Sequence, residues 1–159
     1  MSSDLNIFAS YSEDQYINLY TNTTFKLYRS IYLKDFKCDH LFISSCPLNC
    51  IVLVNKAESR ILVYSINGQY ITQFKEESSQ YTIKSPKLLK DRNFCEYLIY
   101  TFGVKLICRR LPFLEMKQQI ALPLRKPEYI DVADDYNTIY ISNNSGDEVI
   151  YIKNYAAKK

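Results

Sequence analysis

A set of short alternating segments that returns about every 44 residues leaves this chain few folds to adopt. The segment from Ile7 to Thr24 is matched by Ile51 to Gly68 at a spacing of 44. In that register Asp14 falls on Glu58, Ile17 on Ile61, Leu19 on Val63, Tyr20 on Tyr64 and Thr21 on Ser65. A third copy sets Leu98 on Leu53 and Leu106 on Ile61, both at 45, and a looser fourth ends in Glu148-Val149-Ile150-Tyr151-Ile152. Four-stranded propeller blades have this period. One such repeat cannot bury both faces of its sheet, so neighbours must stack around a shared axis. A β-sandwich also strings short strands at roughly 8–12-residue intervals. It predicts no register in which a loop acid and a Tyr-Thr or Tyr-Ser ending both return.

The segments read as strands because they alternate with period two or carry β-branched and aromatic runs. They are Ile7–Ser12, Tyr16–Thr21, Phe25–Leu33, Leu41–Ser45, Cys50–Asn55, Arg60–Ile66 and Gln69–Phe74 in the first half. In the second half they are Lys87–Lys90, Tyr97–Phe102, Lys105–Arg109, Glu115–Leu122, Tyr129–Ala133, Thr138–Ser142 and Glu148–Lys153. Asn67-Gly68 tolerates the positive backbone angles of a type I′ hairpin, and Asn144-Ser145-Gly146-Asp147 predicts a second hairpin. The expected fold is all-β, a WD-type β-propeller segment over residues 1–155. Its blade portions run roughly 1–34, 35–76, 77–123 and 124–155, and Ala156-Ala157-Lys158-Lys159 form a frayed tail. That makes about three and a half blades, below the 4–8 that close a propeller. The chain is therefore expected to be part of a larger propeller or to pair with a partner. Its last edge, Val149-Ile150-Tyr151-Ile152, is apolar, so the isolated chain is expected to self-associate or precipitate.

The first two copies resemble the WD repeats at the carboxyl end of BEACH-domain proteins of the neurobeachin-like and LYST-like kind. The residues that carry the likeness are Asn6-Ile7-Phe8-Ala9-Ser10-Tyr11-Ser12-Glu13-Asp14, Leu19-Tyr20-Thr21 and Tyr28-Arg29-Ser30-Ile31. The second copy adds Leu62-Val63-Tyr64-Ser65-Ile66-Asn67-Gly68-Gln69-Tyr70-Ile71. The likeness covers Asn6–Phe74 and thins from Lys75 onward. It departs from the family where the Gly-His pair is missing and Trp-Asp is replaced by Tyr20-Thr21 and Tyr64-Ser65. Those His and Asp residues join a buried network in each family blade, so these blades are expected to be held mainly by packing. The resemblance implies a scaffold in vesicle or membrane trafficking, lysosome-related compartments or autophagy.

Little else in the chain points to chemistry. Cys38, His40, Cys46 and Cys50 supply four soft ligands within thirteen residues, but not at the usual two-residue knuckle spacing, so no metal is expected. Cys50 heads an apolar strand, where a thiol acts as a small hydrophobe. His40 is the only histidine, and no nucleophile elbow or glycine-rich turn accompanies it. Gly68, Gly103 and Gly146 are each isolated, which rules out a phosphate-cradling loop. Glu76-Glu77 and Asp134-Asp135 fall in loops. No catalysis and no cofactor are expected. Five cysteines without framework spacing and an N-terminus unlike a signal segment point to a reduced, cytoplasmic setting. A net charge of +3 comes from scattered clusters at Lys84–Lys87–Lys90–Arg92, Arg109–Arg110 and Arg125–Lys126. It leaves room for peripheral association with endomembranes, and nucleic acid is not an expected partner.

What remains is the blade surface. Loops between second and third strands, and connections between blades, gather on one face of a propeller, and loops on a rigid scaffold carry function. That nominates Asp14, Glu58, Arg60, Phe102, Lys105 and Asp147 as contact residues for other proteins. The leading expectation is a non-enzymatic interaction module of a BEACH-type scaffold. The alternatives are a WD-repeat adaptor in another complex, such as RNA processing or ubiquitin ligation, and a fragment of a propeller hydrolase.

Overall fold

The computed structural model describes residues 6–45, 48–91, 93–133 and 138–153. Cys46, Arg92, Asp134-Asp135, the first five residues and the predicted tail lie outside them. Fourteen antiparallel strands form four sheets, with no helix among the described residues. The first sheet contains β1 (Ile7–Tyr11), β2 (Tyr16–Thr21) and β3 (Leu27–Tyr32). The second contains β4 (His40–Ser44), β5 (Cys50–Asn55), β6 (Arg60–Ser65) and β7 (Tyr70–Lys75). The third contains β8 (Ile83–Lys90), β9 (Glu96–Phe102), β10 (Lys105–Arg110) and β11 (Glu115–Ala121). The fourth contains β12 (Pro127–Val132), β13 (Thr138–Asn143) and β14 (Val149–Lys153). Each is a meander whose neighbours in sequence are neighbours in the sheet. All fourteen sequence segments are strands, and β8 begins four residues before the predicted start.

The sheets stack in chain order, and side-chain alternation decides how. In β5, Ile51 and Leu53 face the first sheet while Cys50, Val52 and Val54 face the third. In β9, Leu98 and Tyr100 face the second sheet while Tyr97 and Ile99 face the fourth. Both strands are buried on two sides, which is why they are continuous apolar runs rather than alternating ones. Burying each such Ile, Leu or Val side chain fully contributes ~1.5–3 kcal/mol. Three separate inter-sheet cores result. The last strands, β3, β7 and β11, are mostly exposed or half-buried. The first strands meet instead: β4 touches β1 and β8, and β12 touches β8.

Two local expectations are corrected. Ile7, Ala9 and Tyr11 face the second sheet, whereas their partners at a spacing of 44 start with Ile51 and Leu53, which face backward. Matching faces requires 43 in the first strand of the repeat and 44 in the next. The extra residue sits in the turn: Asn55 pairs with Arg60 across the four residues Lys56–Ser59, whereas Ser12 bonds Tyr16 across the three residues Glu13–Gln15. A one-residue slip reverses every side chain, so only packing reveals it. The turn at Asn67-Gly68 is also not type I′, because only Gly68 has positive φ, at 80°. Its amide donates to the Ser65 carbonyl at 2.9 Å, and the Ser65 amide donates to the Gln69 carbonyl at 2.8 Å. That is a type I turn closed by a left-handed residue, the three-residue hairpin. The same arrangement recurs with Gln15 (φ 66°) and Phe94 (φ 60°) as the closing residue, while Ser59 (φ 51°) and Gly146 (φ 74°) close turns one residue longer.

Packing is not the whole of what joins the sheets. Arg109, on β10, is 4% exposed between the second and third sheets. Its Nη2 donates to Glu76 Oε1 at 3.1 Å, its Nε to the Tyr100 hydroxyl at 2.7 Å and its Nη1 to the Leu114 carbonyl at 3.0 Å. The guanidinium carbon lies 3.3 Å from the Phe74 ring centroid. Tyr100 in turn donates to Glu76 at 2.5 Å, and burial pushes its phenol well above the usual tyrosine value. Buried Glu96 makes a second link, accepting from the Ser45 amide at 3.0 Å. The expectation of blades held mainly by packing is thus revised: a charged network clamps the middle interface.

Candidate functional site

The turns between β1 and β2 and between β5 and β6 converge on the long connection from β3 to β4. The Leu33 amide donates to the Gln15 carbonyl at 2.8 Å, and the Asp35 amide to Gln15 Oε1 at 3.2 Å. Tyr11 donates its hydroxyl to the Phe36 carbonyl at 3.2 Å. On the other side the Lys56 amide donates to Asp39 Oδ2 at 2.7 Å. These bonds hold open a groove of about 460 Å³. Tyr11 and the buried Phe36 form its apolar floor, and Glu13, Asp35 and Glu58 place three carboxylates around it. Lys37 is the one cation among its lining residues, and with Arg60 beside Glu58 the carboxylates still outnumber the cations.

A second groove, of about 500 Å³, runs from Glu58 past Arg60 to Phe74 and Glu77. Arg60 divides the two: its Nη1 lies 3.9 Å from Glu58, its Nη2 donates to Gln73 Oε1 at 2.9 Å, and its guanidinium carbon sits 5.7 Å above the Phe36 ring. Of the residues nominated from sequence, Glu58 and Arg60 are therefore brought together. Asp14 instead supports its own turn, accepting from Ser12 Oγ and, at 3.3 Å, from the Tyr16 amide. Its neighbours Glu13 and Gln15 line the groove. Phe102, Lys105 and Asp147 stand on the corresponding turns of the third and fourth sheets, and neither groove includes them. Phe102 packs edge-on to Tyr81 at 6.1 Å, while Lys105 and Asp147 are exposed. Tyr11, Glu13, Asp35 and Phe36 were not legible as site residues, since Asp35 and Phe36 lie in a β3–β4 connection without a motif and Tyr11 and Glu13 read as ordinary strand and turn residues.

The described members of the soft-ligand set, Cys38, His40 and Cys50, do not form a cluster. Cys50 belongs to the core facing the third sheet, whereas Cys38 packs against the core facing the first, on opposite sides of one sheet. Cys46 lies outside the described residues. The Cys38 thiol donates to the His40 carbonyl at 3.1 Å, not to its imidazole. His40 lies parallel to Phe42 at 6.2 Å, and burial, helped by Lys56 and Lys87 against Asp39, lowers its pKa. Burial pushes the Cys38 and Cys50 thiols up to about 11. Only the thiolate is nucleophilic, so both should alkylate at pH 8 at least ~100-fold more slowly in the folded chain than in urea. Peptide-resolved iodoacetamide labelling measures this, and equal rates in both states would contradict the placement.

No family model and no curated protein matches the chain. Solved structures do. The computationally designed Ika8 protein, in one crystal packing, has 16% identity and a TM-score of 0.64 over 96% of this chain, which spans 44% of that structure. The computationally designed Ika4 protein has 16% identity and a TM-score of 0.66, again over 96% of this chain and over 87% of its own length. At such identity the likeness concerns the fold alone. No helix among the described residues is long and apolar enough to cross a membrane.

Proposed function

We propose that the chain is a WD-type propeller segment that binds other proteins without catalysis, as part of a BEACH-type trafficking scaffold. The observation that carries the binding reading is the acidic groove between the first two sheets, built from turns, the end of β1 and one connection on a rigid stack. Four meander sheets whose first strands meet support the propeller reading. The text from Asn6 to Phe74 supports the BEACH assignment.

The groove suits an extended peptide with a basic residue beside an apolar one. Such a side chain would place its charge among Glu13, Asp35 and Glu58 and its apolar neighbour on Phe36 and Tyr11. Display selection of random peptides on the immobilised chain should enrich Lys or Arg next to an aromatic or aliphatic residue. Exposed charge reversal, Glu13→Lys with Glu58→Lys, should weaken the selected peptides by at least tenfold, ~1.4 kcal/mol. Undiminished binding to that double variant would reject the groove. Transcript sequence encoding a BEACH domain in frame ahead of Met1 would support the scaffold assignment, and a different domain there would reject it.

A further inference from the structure

Each sheet within the chain buries one face against the sheet before it and the other against the sheet after it. The terminal sheets use only one. The first covers Ile17 and Leu19 with the second sheet, and the fourth covers Ile139 and Ile141 with the third. Strand alternation puts Phe8, Tyr20 and Tyr16 on the opposite face of the first sheet. Phe8 stacks on Tyr20 at 5.0 Å with Phe25 at 5.8 Å, and Tyr16 lies 5.2 Å from Tyr32. Between these two aromatic groups Ser30 donates to Asn18 at 2.6 Å. No charged residue occupies a strand position on that face, since Arg29, on β3, points toward Gly68 of the second sheet. The opposite face of the fourth sheet presents Tyr129, Tyr140 and Tyr151, at 55%, 46% and 62% exposure, with Asp131 opposite Tyr140 in the register.

The two faces are not arbitrary surfaces. By position in the stack, the fourth sheet's outer face is the one with which the second sheet meets the third and the third meets the fourth. The first sheet's outer face is the one that receives those contacts. They are the two halves of an interface the chain already makes three times. Broad aromatic faces of this kind, with Asp131 the one described charged side chain at their strand positions, mark association sites.

We propose that two copies of the chain associate head to tail, each packing the outer face of its fourth sheet on the outer face of its partner's first sheet. The two identical seams close a ring of eight sheets. A head-to-tail contact yields a ring when its rotation closes, and eight blades lie within the range that propellers close. The occupant is a second copy because the seam continues an interface already built into the chain. It agrees that the same fold is matched within Ika8, a chain more than twice as long as the part this chain spans. The inference rests on the propeller reading above.

The test is light scattering of the full chain at micromolar concentration, with variants at exposed positions. The expected mass is twice 18.7 kDa. Tyr140→Lys with Tyr151→Lys should yield monomer, and so should Phe25→Lys with Tyr32→Lys, both with unchanged circular dichroism. Mixing the two variants should restore a dimer through the one intact seam, at least tenfold weaker than the original. A monomeric original chain overturns the proposal, as does a dimer that survives the fourth-sheet variant, because a contact between two first sheets would do that. Mixed variants that stay monomeric overturn it too. Binding of the selected basic peptides, followed on the same samples, separates the readings: a peptide-binding monomer overturns only the two-copy ring, whereas a dimer blind to those peptides overturns only the groove.

Discussion

Replacing Arg109 by leucine is expected to cost about 3–5 kcal/mol of folding free energy, because removing one partner of a buried ion pair leaves the other charge uncompensated. The Arg109 and Glu76 side chains are 5% and 14% exposed, so water cannot replace the lost guanidinium. The Tyr100 hydroxyl and the Leu114 carbonyl lose a donor in the same step. Native domains are stable by only ~5–15 kcal/mol, so the variant should unfold in markedly less urea or fail to accumulate. Adding Glu76→Gln to Arg109→Leu should recover part of the loss, since the orphaned charge disappears. Urea unfolding followed by circular dichroism provides both values. A single-variant loss below ~1 kcal/mol, the size of an exposed pair, would show that the network is not buried in solution.

Phe36→Ala should be nearly as damaging, at about 3–5 kcal/mol, by the removal of a large buried ring and the cavity left behind. Phe36 is 1% exposed although it lies in a connection and not in a strand. It plugs the core between the first two sheets alongside Leu33 and Ile43. It also forms the floor of the acidic groove and the platform under Arg60. The variant should therefore lose peptide binding together with stability, whereas Glu13→Lys with Glu58→Lys should lose binding alone. Phe113→Ala is the control, because that ring is 58% exposed and its removal should change stability by less than ~0.5 kcal/mol. Equal melting temperatures for Phe36→Ala and Phe113→Ala would contradict the packing described.

The candidate site was legible only in part, and the reason is visible in single residues. Glu58 and Arg60 stand in a turn that the repeat made recognisable. Tyr11 reads as an ordinary strand residue, and Phe36 sits in a connection between two strands, with nothing local to say that its ring turns inward. Asp14 was nominated because it aligns with Glu58, yet its carboxylate is occupied by Ser12 and the Tyr16 amide. The closing positions of the turns show the same limit. Gly68 and Gly146 announce a left-handed residue, while Gln15, Ser59 and Phe94 adopt that conformation without any such sign.

Sequence alone determined the strands, their grouping into short meanders and the turns between them. Period-two alternation and turn residues are local signals, and an apolar run such as Cys50–Asn55 must be covered on both faces wherever it lies. Only the tertiary structure decided which face each strand turns toward which neighbour, because a one-residue difference in a turn reverses every side chain beyond it. It also decided which polar groups pair. Glu76 and Arg109 are 33 residues apart, and each taken alone resembles solvated loop or strand-end charge. Stacking the second sheet on the third removes water from both, and in that dry interface each charge is tolerable only because the other is there.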